Sequence, residues 1–92
     1  WPAARQMHWN SLLRARAIEN QCFAVGVNRV GTDGNDVAYD GGSAVYDFRG
    51  KVMMEIPKRA QLAHISLDKP SLDEYRAAFP TWQDADQFHL ED

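Results

Sequence analysis

Apolar side chains recur at a helical spacing near the start of the chain. They stand at positions i, i+3, i+4 and i+8, which puts an apolar stripe on one side of a helix and leaves arginines on the other. The four apolar positions are Trp9, Leu12, Leu13 and Ala17. Pro2 suits a first helical turn, because its missing N–H would have no partner there, and no further Pro or Gly interrupts the stretch to Asn20. We therefore predict an amphipathic helix over residues 3–20.

The middle of the chain has the composition of a sheet. Residues 22–30 are β-branched and aromatic and too few for a typical helix, which predicts one buried strand. Residues 31–36 are rich in Gly, Asp and Asn, which favours a loop. Two apolar runs within residues 43–56 flank Gly50, so this stretch is predicted to be a β-hairpin with Gly50 in the turn. Residues 61–68 alternate and predict one more strand.

The last part of the chain combines a helix signal with an aromatic tail. The pattern S-x-x-E that begins at Ser71 is typical of a capping box, and Pro80 favours a helix end just before it, so we predict a helix over residues 71–79. The tail carries Trp82 and Phe88 among acidic residues, and we expect it to dock on the body or on a second subunit. The predicted order is one long helix, three or four strands with a hairpin, a short C-terminal helix and a tail. This is an α/β class.

Length and charge narrow the possible functions. The chain has 92 residues and a formal net charge of -3 spread over both signs, so it is one domain at most and lacks the clustered basic face that binds nucleic acid. No apolar stretch is long enough for a membrane span. A single cysteine fits a reducing compartment, which predicts the cytoplasm. The chain starts at Trp1 without a methionine, so we expect a fragment.

The junction between the first helix and the first strand holds an acid close to the only cysteine, and two interpretations compete. Cys22 and Glu19 resemble a nucleophile with a base, but a helix C-terminus disfavours a thiolate, and an unpaired cysteine in an apolar strand behaves as a small hydrophobe. We favour a structural role for Cys22. For Glu19 we favour an ion pair with Arg16, packed between helix and sheet, over a general base.

No cofactor or metal is predicted. His8, His64 and His89 have no zinc-ligand spacing, and the loop of residues 31–36 has neither a glycine nor a closing glutamate at the positions that an EF-hand requires. Gly41 and Gly42 precede a serine, but the lysine of a phosphate-binding loop is missing.

Three longer phrases, taken together, resemble a known family. They are HWNSLLRARAIENQ at residues 8–21, NRVGTDGN at 28–35 and FPTWQDADQF at 79–88. In this order they are similar to the C-terminal part of the nitrilase superfamily of carbon–nitrogen hydrolases. Within it the chain looks most like the omega-amidase type, which hydrolyses the amide of 2-oxoglutaramate and related 2-oxo acid amides. The resemblance covers nearly all of residues 1–90 and makes residues 1–92 the C-terminal portion of one hydrolase domain.

The resemblance implies a four-layer α-β-β-α sandwich and catalysis by a glutamate, a lysine and a cysteine. In the family all three come before the segment that matches Trp1, so no catalytic residue is expected on this chain. Pocket-wall residues are expected instead. Trp1, Arg5 and His8 are the candidates. Arg5 is a candidate to hold the substrate carboxylate, but we favour a surface charge or a structural pair for it. The structural set is Arg16, Glu19 and Cys22.

The resemblance also implies partners. These are a small-molecule amide substrate and a second copy of the chain, paired through the helix of residues 3–20 and the C-terminal tail. A different hypothesis is a non-catalytic interaction or subunit module built on the same half-fold. A third keeps the superfamily but changes the substrate to a nitrile, a carbamoyl compound or a simple amide. We further expect residues 1–92 alone to be inactive and to associate, because half a sandwich leaves an apolar sheet face uncovered.

Overall fold

The computed structural model describes residues 1–91; Asp92, the last residue of the predicted tail, lies outside the described residues. A short 3-10 helix, Ala3–Arg5, leads into α1, Gln6–Asn20. Five strands follow: β1, Ala24–Gly26; β2, Val30–Thr32; β3, Ala38–Asp40; β4, Ser43–Tyr46; and β5, Val52–Ile56. Helix α2, Lys69–Ala78, and a 3-10 turn, Thr81–Asp84, complete the order. The predicted α/β class is confirmed.

The strands form two antiparallel sheets. The main sheet has the order β1-β4-β5, and β2 pairs with β3 in a separate two-stranded hairpin. The predicted hairpin over residues 43–56 is present as β4 and β5. Gly50 has a φ of 82°, a conformation that would be strained for a residue with a side chain. Asp47 shapes this turn, because its carboxylate accepts hydrogen bonds from the backbone N–H groups of Arg49 and Lys51, both at 2.9 Å.

Helix α1 packs on one face of the main sheet. The register places Ala24 beside Tyr46 and Gly26 beside Ala44, so these four residues share that face. Ala17 packs against this face and is completely buried, with Leu13 beside it. The predicted stripe is therefore correct at Ala17 and Leu13, but Leu12 points outward and is 42% exposed.

The end of α1 is closed by Gln21 in the left-handed conformation, with φ 47° and ψ 58°. The Cys22 N–H donates to the Ala17 carbonyl at 3.1 Å and the Gln21 N–H donates to the Ile18 carbonyl at 3.3 Å, which is the Schellman pattern. Glycine usually occupies this position. Because Gln21 occupies this position in place of glycine, its side chain is expected to have a structural role of its own.

Gln21 fixes α2 to the end of α1 through two hydrogen bonds. The Gln21 side-chain amide donates to the Phe79 carbonyl at 2.7 Å, and the Arg76 guanidinium donates to the Gln21 carbonyl at 2.8 Å. An aromatic cluster packs beside these bonds, with centroid distances from 4.8 to 6.3 Å between successive rings. Its members are Phe23, Phe48, Tyr75 and Phe79.

Five predictions of secondary structure were wrong in detail. The structure has five strands, not three or four, and the predicted loop of residues 31–36 begins inside β2, which pairs with β3. Residues 22–30 are not one buried strand: they contain β1 and the first residue of β2, with Val27 82% exposed between them. Residues 61–68 form no strand. Helix α2 begins two residues before Ser71, and Ser71 donates to the Asp68 carbonyl at 2.9 Å instead of forming a capping box.

The tail is exposed where the structure describes it. Trp82, Phe88 and Leu90 all lie largely in solvent, so the tail does not dock on the body of this chain. None of the helices described within residues 1–91 has the length and apolar character needed to cross a bilayer.

Candidate functional site

A groove of about 600 Å³ lies along the start of the chain. Its lining residues are Trp1, Pro2, Arg5, His8 and Leu12. Arg5, His8 and Leu12 share one side because they are three and four positions apart along continuous helical turns. The groove thus brings together the three residues that the sequence singled out for a pocket wall, Trp1, Arg5 and His8.

The groove has an unusual balance of apolar walls and one cation. Within residues 1–91, the Arg5 side chain makes no ion pair or hydrogen bond, and it is exposed. A guanidinium presents a planar fork of donors that matches a carboxylate with two parallel hydrogen bonds. Trp1 and Leu12 lie beside it, so the groove combines one guanidinium with an apolar surface.

Trp1 is held from behind by two residues. Its ring lies 6.1 Å from that of Trp9 at an interplanar angle of 54°, and the Trp9 indole N–H donates to the Gly42 carbonyl at 2.8 Å. The Asn28 side-chain amide donates to the Trp1 carbonyl at 2.9 Å. Sequence reasoning assigned no role to Asn28; the available signal was an amide inside an otherwise apolar run.

The β2–β3 hairpin lies beside the groove, since β3 packs next to the 3-10 helix that carries Arg5. Asp33 organises its turn: the carboxylate accepts hydrogen bonds from the N–H groups of Val37 at 3.0 Å and Asn35 at 2.8 Å, and from the Tyr39 hydroxyl at 3.0 Å. The bonds from Val37 and then Asn35 lower the pKa of Asp33 below its usual value, and the bond to Asp33 raises the pKa of Tyr39. Turn chemistry accounts for these acidic and amide residues.

Arg29 completes the hairpin. Its guanidinium lies 4.8 Å from the centre of the Tyr39 ring and donates to the Thr32 carbonyl at 3.4 Å. The positive charge also contributes to the lowered pKa of Asp33. Arg29 and Asp33 therefore interact within the hairpin, Asp40 pairs with Lys58 outside it at 3.3 Å, and Arg5 is the arginine that lines the groove.

Arg16, Glu19 and Cys22 lie at the other end of α1, roughly 16 Å or more from Arg5 at 1.5 Å per helical residue. Arg16 and Glu19 form an ion pair at 2.9 Å, but both side chains are about 60% exposed, so the expectation that the pair packs between helix and sheet is wrong. The Cys22 sulfur is partly exposed and contacts the Arg16 carbonyl at 3.9 Å. No basic side chain within residues 1–91 donates to it.

The lysines also lie apart from Glu19 and Cys22. Lys58 pairs with Asp40 at 3.3 Å, and Lys69 pairs with Asp73 at 2.7 Å. Across the part of the chain that the structure describes, no lysine forms an ion pair with Glu19 or a hydrogen bond with Cys22. Nor do the described residues contain a cluster of three or more His, Cys, Asp or Glu side chains that could hold a metal ion.

A second cavity, of about 690 Å³, lies on the face of the main sheet opposite α1. Val25, Val45 and Met54 stand side by side on this face because each is the register partner of the next. Residues of three further segments, 26–30, 41–44 and 56–65, contribute to the lining. This cavity is predominantly apolar and brings together none of the predicted site residues.

Known proteins are similar to this chain in sequence and in fold. Residues 1–77 match the family Carbon-nitrogen hydrolase. The chain is 47% identical to "Omega-amidase YafV" of Escherichia coli K12 over 91 residues, which are 98% of this chain and 36% of that protein. It is 39% identical to the "2-oxoglutaramate amidase" of Paenarthrobacter nicotinovorans over 84 residues, 91% of this chain and 28% of that one.

The structural comparison agrees. The crystal structure of XC1258 from Xanthomonas campestris, described as a CN-hydrolase superfamily protein with an arsenic adduct in the active site, superposes with a TM-score of 0.93 and 49% identity. The match covers 99% of this chain and 34% of that one. The chain thus spans about a third of the length of the relatives it matches. The matches in sequence and in fold together establish that this chain belongs to the carbon–nitrogen hydrolase family.

Proposed function

We propose that the chain is the C-terminal portion of the catalytic domain of an omega-amidase, which cleaves the terminal amide of a 2-oxo acid such as 2-oxoglutaramate to the carboxylic acid and ammonia. The observation that carries this proposal is the 47% identity to an omega-amidase over 98% of the chain. The 39% identity to a 2-oxoglutaramate amidase supports the same substrate class. The complete domain would be the four-layer sandwich.

The proposed mechanism uses a cysteine, a glutamate and a lysine that precede the part of the family matched by this chain. Within residues 1–91 no lysine forms an ion pair with Glu19 or a hydrogen bond with Cys22, which supports this division. Cys22 also lies at a helix C-terminus, where the macrodipole disfavours a thiolate.

The reaction balances as a double displacement. The cysteine sulfur attacks the amide carbon while the glutamate takes the thiol proton, and the lysine stabilises the oxyanion. The carbon–nitrogen bond then breaks as the glutamate returns the proton to nitrogen. Ammonia departs, and the acyl group stays on the cysteine as a thioester. Water attacks the thioester with the glutamate as base. The carbon–sulfur bond breaks, the thiol is restored, and the acid is released.

Residues 1–91 would supply part of the substrate cleft. Arg5 would bind the 2-oxo acid carboxylate, with Trp1 and His8 as walls. The support is geometric: the three line one groove, and the guanidinium has no partner among the described residues. Binding the end of the substrate away from the amide orients the reacting carbon without contact with the triad.

The apolar face of the main sheet supports the view that this chain is half of a sandwich. Val25 is 56% exposed on this face and Met54 is half-buried, while Val45 between them is buried. A largely exposed valine beside an open apolar cavity is typical of a surface that packs on another part of a protein. We expect residues 1–92 alone to show no turnover and to associate in solution.

A homodimer through α1 and the tail is part of the same proposal. Away from the groove, α1 exposes Met7 and Ile18, and the tail exposes Trp82 and Phe88. Analytical ultracentrifugation of the complete protein should give a dimer that Ile18→Glu weakens, while Glu55→Lys, an exposed position on β5, leaves it intact. A complete protein that sediments as a monomer would contradict the pairing. Cytoplasmic location is proposed from the single cysteine, and cell fractionation tests it.

The deciding experiment is an assay of ammonia release by the complete protein. 2-Oxoglutaramate should be hydrolysed with a kcat/KM at least about tenfold above that for a simple aliphatic amide, a nitrile or a carbamoyl compound, a difference that one well-placed charged contact supplies. A preference for one of the other compounds would change the substrate class. No hydrolysis of any of them would favour the non-catalytic module.

A further inference from the structure

The side chain of Asn28 makes every hydrogen bond that a primary amide can make in its plane. The oxygen accepts from the Trp1 nitrogen and from the Arg29 N–H, both at 3.0 Å. The nitrogen donates to the carbonyls of Trp1 and Gly41, both at 2.9 Å. Two donors and two acceptor positions are therefore all used.

Two of these bonds go to the same residue. The Asn28 amide donates to the Trp1 carbonyl and accepts from the terminal ammonium of Trp1, which would be a backbone N–H in a longer chain. These bonds lie at the point where the strand run of residues 22–30 is interrupted. This explains why residues 27–29 are not part of β1 or β2 although their neighbours are.

Asn28 is itself fixed to the main sheet. Its N–H donates to the Ser43 hydroxyl at 2.8 Å, and this hydroxyl donates to the Asn28 carbonyl at 3.2 Å. Ser43 is the first residue of β4. A continuous set of hydrogen bonds therefore runs from the central strand through Asn28 to the backbone of Trp1.

The double glycine before β4 receives the other end of the same arrangement. The Gly41 carbonyl accepts from Asn28, and the Gly42 carbonyl accepts from the Trp9 indole whose ring packs on Trp1. Both glycines have positive φ, 70° and 71°, which turns the two carbonyls toward different partners. Asn28, which donates to the Gly41 carbonyl, thus holds the backbone of Trp1. Trp9, which donates to the Gly42 carbonyl, packs against the Trp1 ring.

We infer that Asn28 is a positioning residue of the proposed amidase site, holding the backbone of Trp1 so that the groove wall keeps its place relative to the sheet. The inference rests on the proposed function. Since misplacement of a reacting group by about 1 Å can cost on the order of 10²-fold in rate, a wall held by two bonds from a side chain that is itself bonded to Gly41 and Arg29 should matter to turnover.

The test is N28D in the complete protein. The substitution keeps shape and volume but replaces the two donors with a carboxylate oxygen that faces the carbonyls of Trp1 and Gly41. We expect kcat/KM for 2-oxoglutaramate to fall at least about tenfold and hydrogen exchange at the Trp1 amide to accelerate at least about tenfold. The matched control is N35D, the same change in the exposed β2–β3 turn, which should leave both within about twofold.

A second variant guards against a general loss of folding. S43A removes the hydroxyl that fixes the Asn28 backbone and leaves the amide in place, so it should shift both readouts in the same direction by about three- to tenfold. Phe48→Leu, in the aromatic cluster far from Trp1, should lower the unfolding temperature without changing Trp1 exchange. Wild-type-like activity or wild-type-like Trp1 exchange in both N28D and S43A would overturn the role of Asn28. A wild-type protein that releases no ammonia from any amide would overturn the proposed function instead.

Discussion

The side-chain amide of Gln21 donates a 2.7 Å hydrogen bond to the carbonyl of Phe79, which joins the end of α1 to the end of α2 across 58 positions of sequence. Gln21 is 5% exposed and occupies the left-handed conformation, which costs a non-glycine residue about 1 to 2 kcal/mol. The long-range hydrogen bond is therefore formed together with a local conformational cost. Substitutions at Gln21 can separate the free energy of the bond from that of the backbone strain.

Gln21→Ala should destabilise the complete protein by about 1 to 2 kcal/mol, because the Phe79 carbonyl loses its side-chain donor and keeps only the Thr81 N–H at 2.9 Å. Gln21→Gly loses the same bond but relieves the strain, so it should be about 1 kcal/mol more stable than the alanine variant. Urea unfolding measures both, with the exposed Gln83→Ala as the control that should change little. An alanine variant as stable as the glycine variant would show that the left-handed residue is unstrained.

Gly26→Ala should destabilise by overpacking. A Cβ at this position would lie 2.5 Å from a Leu13 methyl and 2.8 Å from the Trp9 ring, so α1 would have to move away from β1. We expect a loss of about 1 to 3 kcal/mol in the free energy of unfolding. Gly34→Ala is the matched control, because nothing lies within 4 Å of its added Cβ. Equal stability of the two variants would mean that the helix–sheet contact tolerates the methyl group.

Asp33 should make stability depend on pH in the acid range. Its pKa in the folded chain lies below the ordinary value of 3.8, chiefly because the N–H groups of Val37 and Asn35 donate to the carboxylate. The folded state thus binds fewer protons than the unfolded state, and the contribution is present above pH 3.8 and lost as the pH falls through the lowered pKa.

Asp33→Asn keeps an oxygen acceptor and removes the titration. The difference in urea midpoint between wild type and this variant should be largest near neutral pH and should shrink below about pH 4. Asp36→Asn, in the same turn, supplies the control that should follow wild type across the range. A difference that grows on acidification would contradict the lowered pKa.

Local signals account for the parts of the fold that sequence reasoning predicted. The helix of residues 3–20 and the hairpin of residues 43–56 are specified by neighbours in sequence, through helix formers after Pro2 and the positive φ of Gly50. The family resemblance was likewise readable, because it depends on residue order alone.

The errors arose where contacts with residues distant in sequence determine the local secondary structure. Residues 22–30 looked like one strand, but the bonds of Asn28 to Trp1 and Gly41, 27 and 13 positions away, interrupt it. Residues 61–68 have a strand's alternation but no strand beside them, and Leu62 is 86% exposed. The role of Asn28 was unreadable for the same reason: its partners are remote in sequence.

Arg5→Ala in the complete protein should lower kcat/KM for 2-oxoglutaramate at least about tenfold, mainly through KM, because the guanidinium would bind the substrate carboxylate in the ground state and the transition state alike. Arg16→Ala is the matched control on the same helix, at the end away from the groove and already paired with Glu19. An Arg5→Ala variant within about threefold of wild type would leave Arg5 as a surface charge.

Cys22→Ala should cost some stability and little chemistry. The sulfur lies at the C-terminal end of α1, partly exposed, and its contact is the Arg16 carbonyl at 3.9 Å, which is an acceptor and gives a thiolate no support. We expect a loss of about 1 kcal/mol in unfolding free energy and a kcat within about threefold of wild type in the complete protein. Glu19→Gln removes the acid three positions away and should behave in the same way, because its partner is the exposed Arg16. Loss of the thioester intermediate in Cys22→Ala, seen by mass spectrometry after rapid quenching, would make Cys22 the nucleophile and would move the active site to this end of the helix.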